Sequence, residues 1–299
     1  MTLRLALAVL WLLHWLPLPV IARLGDLLGE VVYRLARERR RVTLVNLALC
    51  FPQWPESRRV ALARAHFRAF ASAILAQGVG WFASLERLRR VVRLEEVTWL
   101  QQALAEGPVI LMTPHFFGLD LAGILISADV DVITINTSLK NHRLDARFRA
   151  LRRRWNRGTI FTRQDGIRPV LRALKPGWAL YYMPDQDFGE RESVFADFFG
   201  VPAATSPALS RLVRLSGARV VPCVIHQDFR AGCCRVRFHP PWTDFPGTDD
   251  LADARRMNRF IETCVQEQPA NYLWSHKRFK TRPGGAPSPY GRAPENTLG

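Results

Sequence analysis

The chain has 299 residues, of which 48% are hydrophobic and 10% aromatic, with a formal net charge of +16. This composition excludes a disordered chain, and Gly and Pro without a period exclude a collagen-like or repeat architecture. The length allows one large core or two small ones.

Five cysteines, with Cys233 and Cys234 adjacent, fit neither a zinc site nor a disulfide framework. Reduced thiols in contact with the cytosol are expected. Lys140, Lys175, Lys277 and Lys280 are the only lysines, so the charge is carried by arginine. Between 141 and 175, eleven basic residues face Asp145 and Asp165, a net of +9 and more than half of the excess. Coding bias would spread arginine evenly. The focus points to a polyanionic partner: nucleic acid, anionic lipid or a phosphorylated substrate.

The first expected element is the apolar run 5–22, broken only by His14, Pro17 and Pro19. Its length is at the low limit for crossing a bilayer. Trp11 and Trp15 suit an interface, and Arg34, Arg37, Arg39, Arg40 and Arg41 form a cationic flank suited to anionic headgroups. A membrane anchor is expected, either spanning or lying in the interface. A buried N-terminal helix and a cleaved signal are the alternative readings. Residues 42–83 read as helical, punctuated at Asn46, Phe51-Pro52 and Trp54-Pro55, and 95–106 as a helix closed by Gly107-Pro108.

From 108 the pattern alternates. Strands are expected at 109–113, 131–136, 159–162, 178–183, 219–226 and 234–239, with an extended piece at 193–199. Helices are expected at 119–128, 143–155, 167–174, 207–215 and 251–268. This alternation predicts an α/β fold, a mainly parallel twisted sheet covered by helices. The tail from 283 is rich in Gly and Pro and reads as loose. The expected organisation is an N-terminal membrane helix with its basic flank at 1–41, one domain at 42–283 and a flexible tail at 284–299.

Nucleophile elbow, phosphate-loop, dinucleotide-turn and HExxH signatures are absent from the sequence. The informative stretch is 113–120, TPHFFGLD. His115 follows a strand end, where α/β sheets hold their ligands. Asp120 comes five residues later, about 140° around one continuous helix. The two meet if His115 sits in the loop, Asp120 in the first helical turn and Gly118 at the bend. The carboxylate then fixes the imidazole tautomer, and the other ring nitrogen takes a proton from a substrate hydroxyl. That is two-thirds of a triad without an enzyme nucleophile, suited to direct transfer to an alcohol. An incidental loop histidine with an aspartate cap is the bland alternative.

At this point the chain resembles the lipid A late acyltransferases, which add secondary acyl chains to lipopolysaccharide precursors. The resemblance spans about 42–283. It is carried by NLALCFP at 46–52, the His115/Asp120 pair, RWNRG at 154–158, PDQDFG at 184–189, VFADFFG at 194–200 and LWSHKRFKTRP at 273–283. It implies a glycerolipid-acyltransferase-like fold, membrane attachment, a thioester donor on acyl carrier protein or coenzyme A, and a glycolipid acceptor. It also implies a place at the cytoplasmic face of a bacterial inner membrane, on an anionic phospholipid surface. Gln77, Gln186 and Ser275 depart from the residues usual in relatives and bear on the substrate more than the reaction.

With His115 as general base and Asp120 as its orienter, the developing oxyanion needs a donor, and Arg154 is the expected one. Arg163 resembles the arginine of the second acyltransferase block, which contacts acceptor phosphate. Asp185 and Asp187, beyond another strand end, resemble the third block and would position a sugar hydroxyl or Arg163. Turn chemistry is their alternative. His115, Arg163 and Asp185 are expected on one cleft. His14, His66, His142, His226, His239 and His276 are given no catalytic role, and no metal or cofactor is expected. Phe116, Phe117, Phe195, Phe198 and Phe199 either line an acyl groove or pack in the core. Competing functions are acylation of a glycerolipid, ornithine lipid or phosphoinositol mannoside, and a non-catalytic basic membrane-binding protein. The apolar N-terminus argues against a nucleic-acid partner.

Overall fold

A computed structural model describes residues 2–136, 145–146, 149–150, 154–155 and 158–291. Four helices come first: α1 (Thr2–Leu13), α2 (Leu18–Leu35), α3 (Arg37–Cys50) and α4 (Glu56–Phe82). The proline-punctuated stretch at 51–55 separates α3 from α4, as expected where the residue before each proline is pushed out of helical conformation.

Then follow α5 (Leu85–Val91), β1 (Val92–Glu95), α6 (Val97–Glu106), β2 (Val109–Met112), α7 (Leu119–Asp129), β3 (Asp131–Asn136), β4 (Ile160–Thr162), α8 (Ile167–Ala173) and β5 (Trp178–Tyr182). The chain continues with β6 (Val194–Phe198), β7 (Val201–Thr205), α9 (Ala208–Ser216), β8 (Arg219–Asp228), β9 (Cys233–Phe238) and α10 (Asp250–Glu267).

Seven strands form one sheet in the order β1-β9-β8-β2-β5-β3-β4, parallel throughout except for the β8–β9 hairpin. The interior strands carry continuous apolar runs, as strands covered on both faces require. All four residues of β2 are buried, as are seven consecutive residues of β8. The α/β expectation and the mainly parallel sheet thus hold.

Three elements escaped the sequence reading. The expected helix at 95–106 begins later, because Val92–Glu95 forms an edge strand beside β9. There Glu95 takes a hydrogen bond from Arg237 at 3.3 Å. Helix α5 and strand β7, the partner of β6 in a separate hairpin, are too short to leave a period. The expected helix at 143–155 lies, apart from three residue pairs, outside the described residues.

The N-terminal helices are packed rather than free-standing. Helix α2 buries Leu18, Ile21, Ala22, Gly25, Gly29 and Tyr33. It meets α4 backbone to backbone: a Cβ on Gly25 would fall 2.6 Å from the Ser72 Cα. Arg87 closes the break between α1 and α2 by donating to the carbonyls of Trp15 and Leu16 at 3.2 and 2.7 Å. No helix among the described residues is long and apolar enough to cross a membrane.

The tail is tied down as far as Gly291. Tyr290 is buried, its hydroxyl accepts from the Phe279 amide at 3.0 Å and donates to Asn46, and Arg41 donates to the carbonyls of Tyr290 and Gly291, 2.7 Å each. All five cysteines are buried thiols.

Candidate active site

Parallel pairing of β2 with β5 sets the geometry. Met112 lies opposite Tyr182. Thr113 extends the ladder by donating its amide to the Tyr182 carbonyl at 2.8 Å. His115 and Asp185 each stand three residues beyond this matched pair, at the carboxyl edge of the sheet where α/β folds open their sites. Their side chains meet there: His115 Nδ1 is 2.6 Å from Asp185 Oδ1, and the His115 amide donates to Asp185 Oδ2 at 3.0 Å. One carboxylate thereby holds both the ring and the backbone of the histidine. The turn behind it needs Gly118, at φ 90°, where a Cβ would also crowd Cys234 Sγ and Ile225 Cγ2 at 3.1 Å.

The orienting carboxylate expected from spacing was Asp120. In the structure the carboxylate on Nδ1 is that of Asp185. Asp120 lies in the first turn of α7, as expected, and accepts from Gln77 Nε2 at 3.2 Å. It acts on the imidazole through space. Burial pulls the His115 pKa down, but the charge and hydrogen bond of Asp185, with the charge of Asp120, carry it above the ordinary histidine value. Asp185 is itself buried, which would raise its pKa. The imidazole beside it and the His115 amide hold it below the usual carboxylate range. An ionised Asp185 accepts the Nδ1 proton, so the Nε2 lone pair is the basic one. The nearest partner on that side is Gln186, with Nε2 3.1 Å from His115 Nε2.

Asp187 is equally buried but does other work. Its oxygens accept from the Thr281 amide and hydroxyl, 2.8 Å each, and from the Gly189 amide at 2.9 Å. In the structure its oxygens are turned toward the C-terminal segment, which they anchor. Other ties hold the same segment. Asn46 donates to the carbonyls of Trp274 and His276 at 2.7 and 2.8 Å. Buried Arg278 donates to the Ala204 carbonyl at 2.6 Å and the Thr205 hydroxyl at 2.8 Å. The Leu273 amide donates to the His115 carbonyl at 3.0 Å, and the Phe117 amide to the Asn271 carbonyl at 2.8 Å. The sequence blocks singled out at 46–52, 184–189 and 273–283 therefore brace one another and the histidine loop.

Two histidines without an expected role sit close by. His276 Nε2 accepts from the Asp187 amide at 3.3 Å, and His66 Nδ1 donates to the Tyr272 carbonyl at 2.9 Å. Burial pushes both down to about 4, so both are neutral near pH 7. No local pattern marks them, since their partners come from distant segments.

Arg154, the expected oxyanion donor, is placed on the C-terminus of α4. It donates to the carbonyls of Trp81 and Ala83 at 3.1 and 2.7 Å and stacks on Trp155. The carbonyl end of a helix attracts a cation. The backbone of Arg163 opens a short 3-10 turn after β4, and its side chain lies outside the described ones. Of the three residues expected on one cleft, His115 and Asp185 are seen to meet. Phe116 and Phe198 are core residues, and Phe117 packs on His66 and Phe70.

A cavity of about 10 Å³ lies against the pair, room for one water at most. A second cavity of about 300 Å³ shares Leu273 and His276 with it and is lined by Val32, Ala36, Phe67, Phe70 and His66, with Arg39 and Ser275 at polar positions.

Comparison with known proteins gives consistent results. A family model described as bacterial lipid A biosynthesis acyltransferase matches residues 1–281. The chain is 34% identical over 290 residues to the lipid A biosynthesis lauroyltransferase of Escherichia coli (strain K12), covering 96% of this chain and 94% of that protein. It is 32% identical over 276 residues to the lipid A biosynthesis myristoyltransferase of the same organism, covering 92% and 84%. Against the palmitoleoyltransferase of that organism it is 32% identical over 286 residues, covering 95% and 92%.

Proposed function

The chain belongs to the bacterial lipid A biosynthesis acyltransferase family, and from that premise we propose that it moves a fatty acyl chain from a thioester donor to a hydroxyl of a lipid A precursor. The observation that carries the mechanism is the His115–Asp185 contact of 2.6 Å. His115 Nε2 takes the proton of the acceptor hydroxyl as its oxygen bonds to the thioester carbonyl carbon. The carbon–sulfur bond then breaks, and the imidazolium returns the proton to the leaving thiolate. Asp185 keeps the proton on Nδ1 in the resting state and stabilises the imidazolium once formed. The donor is an acyl thioester of acyl carrier protein or coenzyme A. Its chain would lie in the 300 Å³ cavity, which shares Leu273 and His276 with the small cavity at the dyad.

The enzyme would work from the membrane surface, at the cytoplasmic face of the inner membrane. Among the described residues, ten of the thirteen exposed large hydrophobic ones fall on 5–35, Leu27 at 70%, Leu35 at 76% and Trp15 at 63% among them. Helix α1, with twelve residues, is about 18 Å long against a hydrocarbon core of about 30 Å. Helix α2 has one face committed to α4. This supports helices lying in the interface rather than a spanning anchor.

The test is transfer by the purified chain in detergent micelles from dodecanoyl-coenzyme A and, separately, from dodecanoyl-acyl carrier protein. The acceptor is a lipid A precursor lacking one secondary chain, and product mass is the readout. A gain of one dodecanoyl group is expected. Turnover of neither thioester by folded protein would refute the reading.

A further inference from the structure

We propose that Gln186 gates the base: it caps the His115 Nε2 lone pair until the lipid acceptor displaces it, and so limits hydrolysis of the donor thioester. The proposal rests on His115 acting as the base of acyl transfer.

A neutral imidazole offers a single in-plane lone pair. With Asp185 on Nδ1, that lone pair is on Nε2, and the Gln186 amide nitrogen is 3.1 Å from it. An amide NH₂ can only donate there. The hydroxyl to be deprotonated must donate to the same lone pair, so the amide and the acceptor cannot both occupy it.

The surroundings make the side chain the moving part. Asp185 and Asp187, on either side of Gln186, are buried at 3% exposure each. The first is held by the His115 ring and amide, the second by Thr281 and Gly189, and the Asp187 amide is engaged by His276. The backbone at 185–187 is thereby fixed at both flanks, while the Gln186 side chain is only half-buried.

Water and lipid differ in what they bring to the displacement. A lipid acceptor is bound along its whole length, and that remote binding can be spent at the reacting centre. Water has only its own hydrogen bond to offer in exchange. In the reaction being limited, the water oxygen bonds to the acyl carbon and the carbon–sulfur bond breaks. The proton taken by Nε2 goes to the thiolate, leaving a free fatty acid. A neutral hydrogen bond of ordinary net strength corresponds to about a two- to tenfold effect.

The test uses the full chain in micelles with dodecanoyl-coenzyme A. Thiol release is followed without acceptor, and product formation with a lipid A precursor. Gln186→Met keeps the length and loses the donor, and Gln186→Ala opens the site. Both should raise acceptor-independent thiol release by about two- to tenfold, with transfer retained, so that the ratio of hydrolysis to transfer rises. Gln186→Glu should move the rising limb of the pH–rate profile upward, because a carboxylate at Nε2 favours the imidazolium. Unchanged hydrolysis in the Met and Ala variants overturns the gate, as does a parallel fall of hydrolysis and transfer. His115→Ala reports on the underlying reading. Wild-type rates there overturn the base assignment and the gate with it. Lost rates there, with unchanged hydrolysis in the Gln186 variants, overturn the gate alone.

Discussion

At the strand-end site, Asp185 and Asp187 are both buried, and their oxygens are taken up by the imidazole, hydroxyl and amide donors around them. On α1 and α2 the balance is reversed: large apolar side chains face outward, while Gly25 and Gly29 of α2 pack on the α4 backbone and Gly78 of α4 receives the α1 backbone at Leu10. The first region is closed on itself, and its geometry is held by the protein alone. The second leaves apolar area exposed well beyond scattered surface residues, as a face does when it is completed by something outside the chain. The proposed function thus puts chemistry where the fold is self-sufficient, and attachment where it is not.

Substitutions in both regions break or sharpen that contrast. The largest effect is expected at the dyad. His115→Ala should lower transfer by about 10²–10⁴-fold in purified, folded protein, the usual contribution of a positioned base. Near-wild-type turnover would remove the base from the mechanism. Asp185→Asn should be nearly as damaging and should also move the pH profile. The neutral form of His115 is the active one, so kcat/KM rises with pH through a midpoint above the ordinary value of about 6.5. Without the Asp185 charge, burial pulls that midpoint down. Asp120→Asn, which removes only a through-space contribution, should shift it less; the reverse ranking would restore Asp120 as the orienter.

Next comes Asp187, whose loss should be felt in stability. Asp187→Ala leaves the Thr281 and Gly189 amides without their carboxylate and should cost about 2–4 kcal/mol. For a chain of this size that is a Tm lower by about 3–6 °C in a thermal melt. An unchanged Tm with lost activity would return Asp187 to the substrate.

On the attachment side, Leu27→Asp with Leu35→Asp should cut association with anionic vesicles by about tenfold or more per site, from the apolar area withdrawn. What remains should wash off in high salt, since the arginine attraction is screened beyond a Debye length and apolar insertion is not. Full-length protein that already leaves the membrane in salt alone would contradict interfacial insertion. The smallest effect is expected at Arg154. Arg154→Ala removes a cation from a helix C-terminus, worth about 1 kcal/mol or less, and should leave transfer within about threefold. A hundredfold loss would reinstate it as the oxyanion donor.

How much of this was legible in the sequence differs from residue to residue. His115 stood out because a histidine directly after an apolar strand is a local pattern. Its partner did not. Asp120, five residues away, was the nearer choice, while Asp185, seventy residues on, reaches His115 through strand register. Asn46 and Arg278 belonged to blocks noticed in the sequence, yet their role as braces depends on carbonyls from other segments. The contacts of Arg154 were not legible either, because the carbonyls it reaches lie over 70 residues upstream.

The sequence by itself determined the parallel α/β sheet, through apolar runs alternating with amphipathic ones, together with the place of His115 at a strand end and the apolar, arginine-flanked N-terminus. All of these are properties of neighbours along the chain, set by local backbone periodicity and side-chain polarity. Tertiary structure decided which carboxylate meets the His115 ring, which aspartate ties down the C-terminal segment, and that the N-terminal helices lie against α4 with one face outward. These choices follow from how strands pair and how buried charges find donors. A carboxylate loses its water on burial and must be satisfied by whatever groups the fold brings within about 3 Å, and those groups come from residues far apart in the chain.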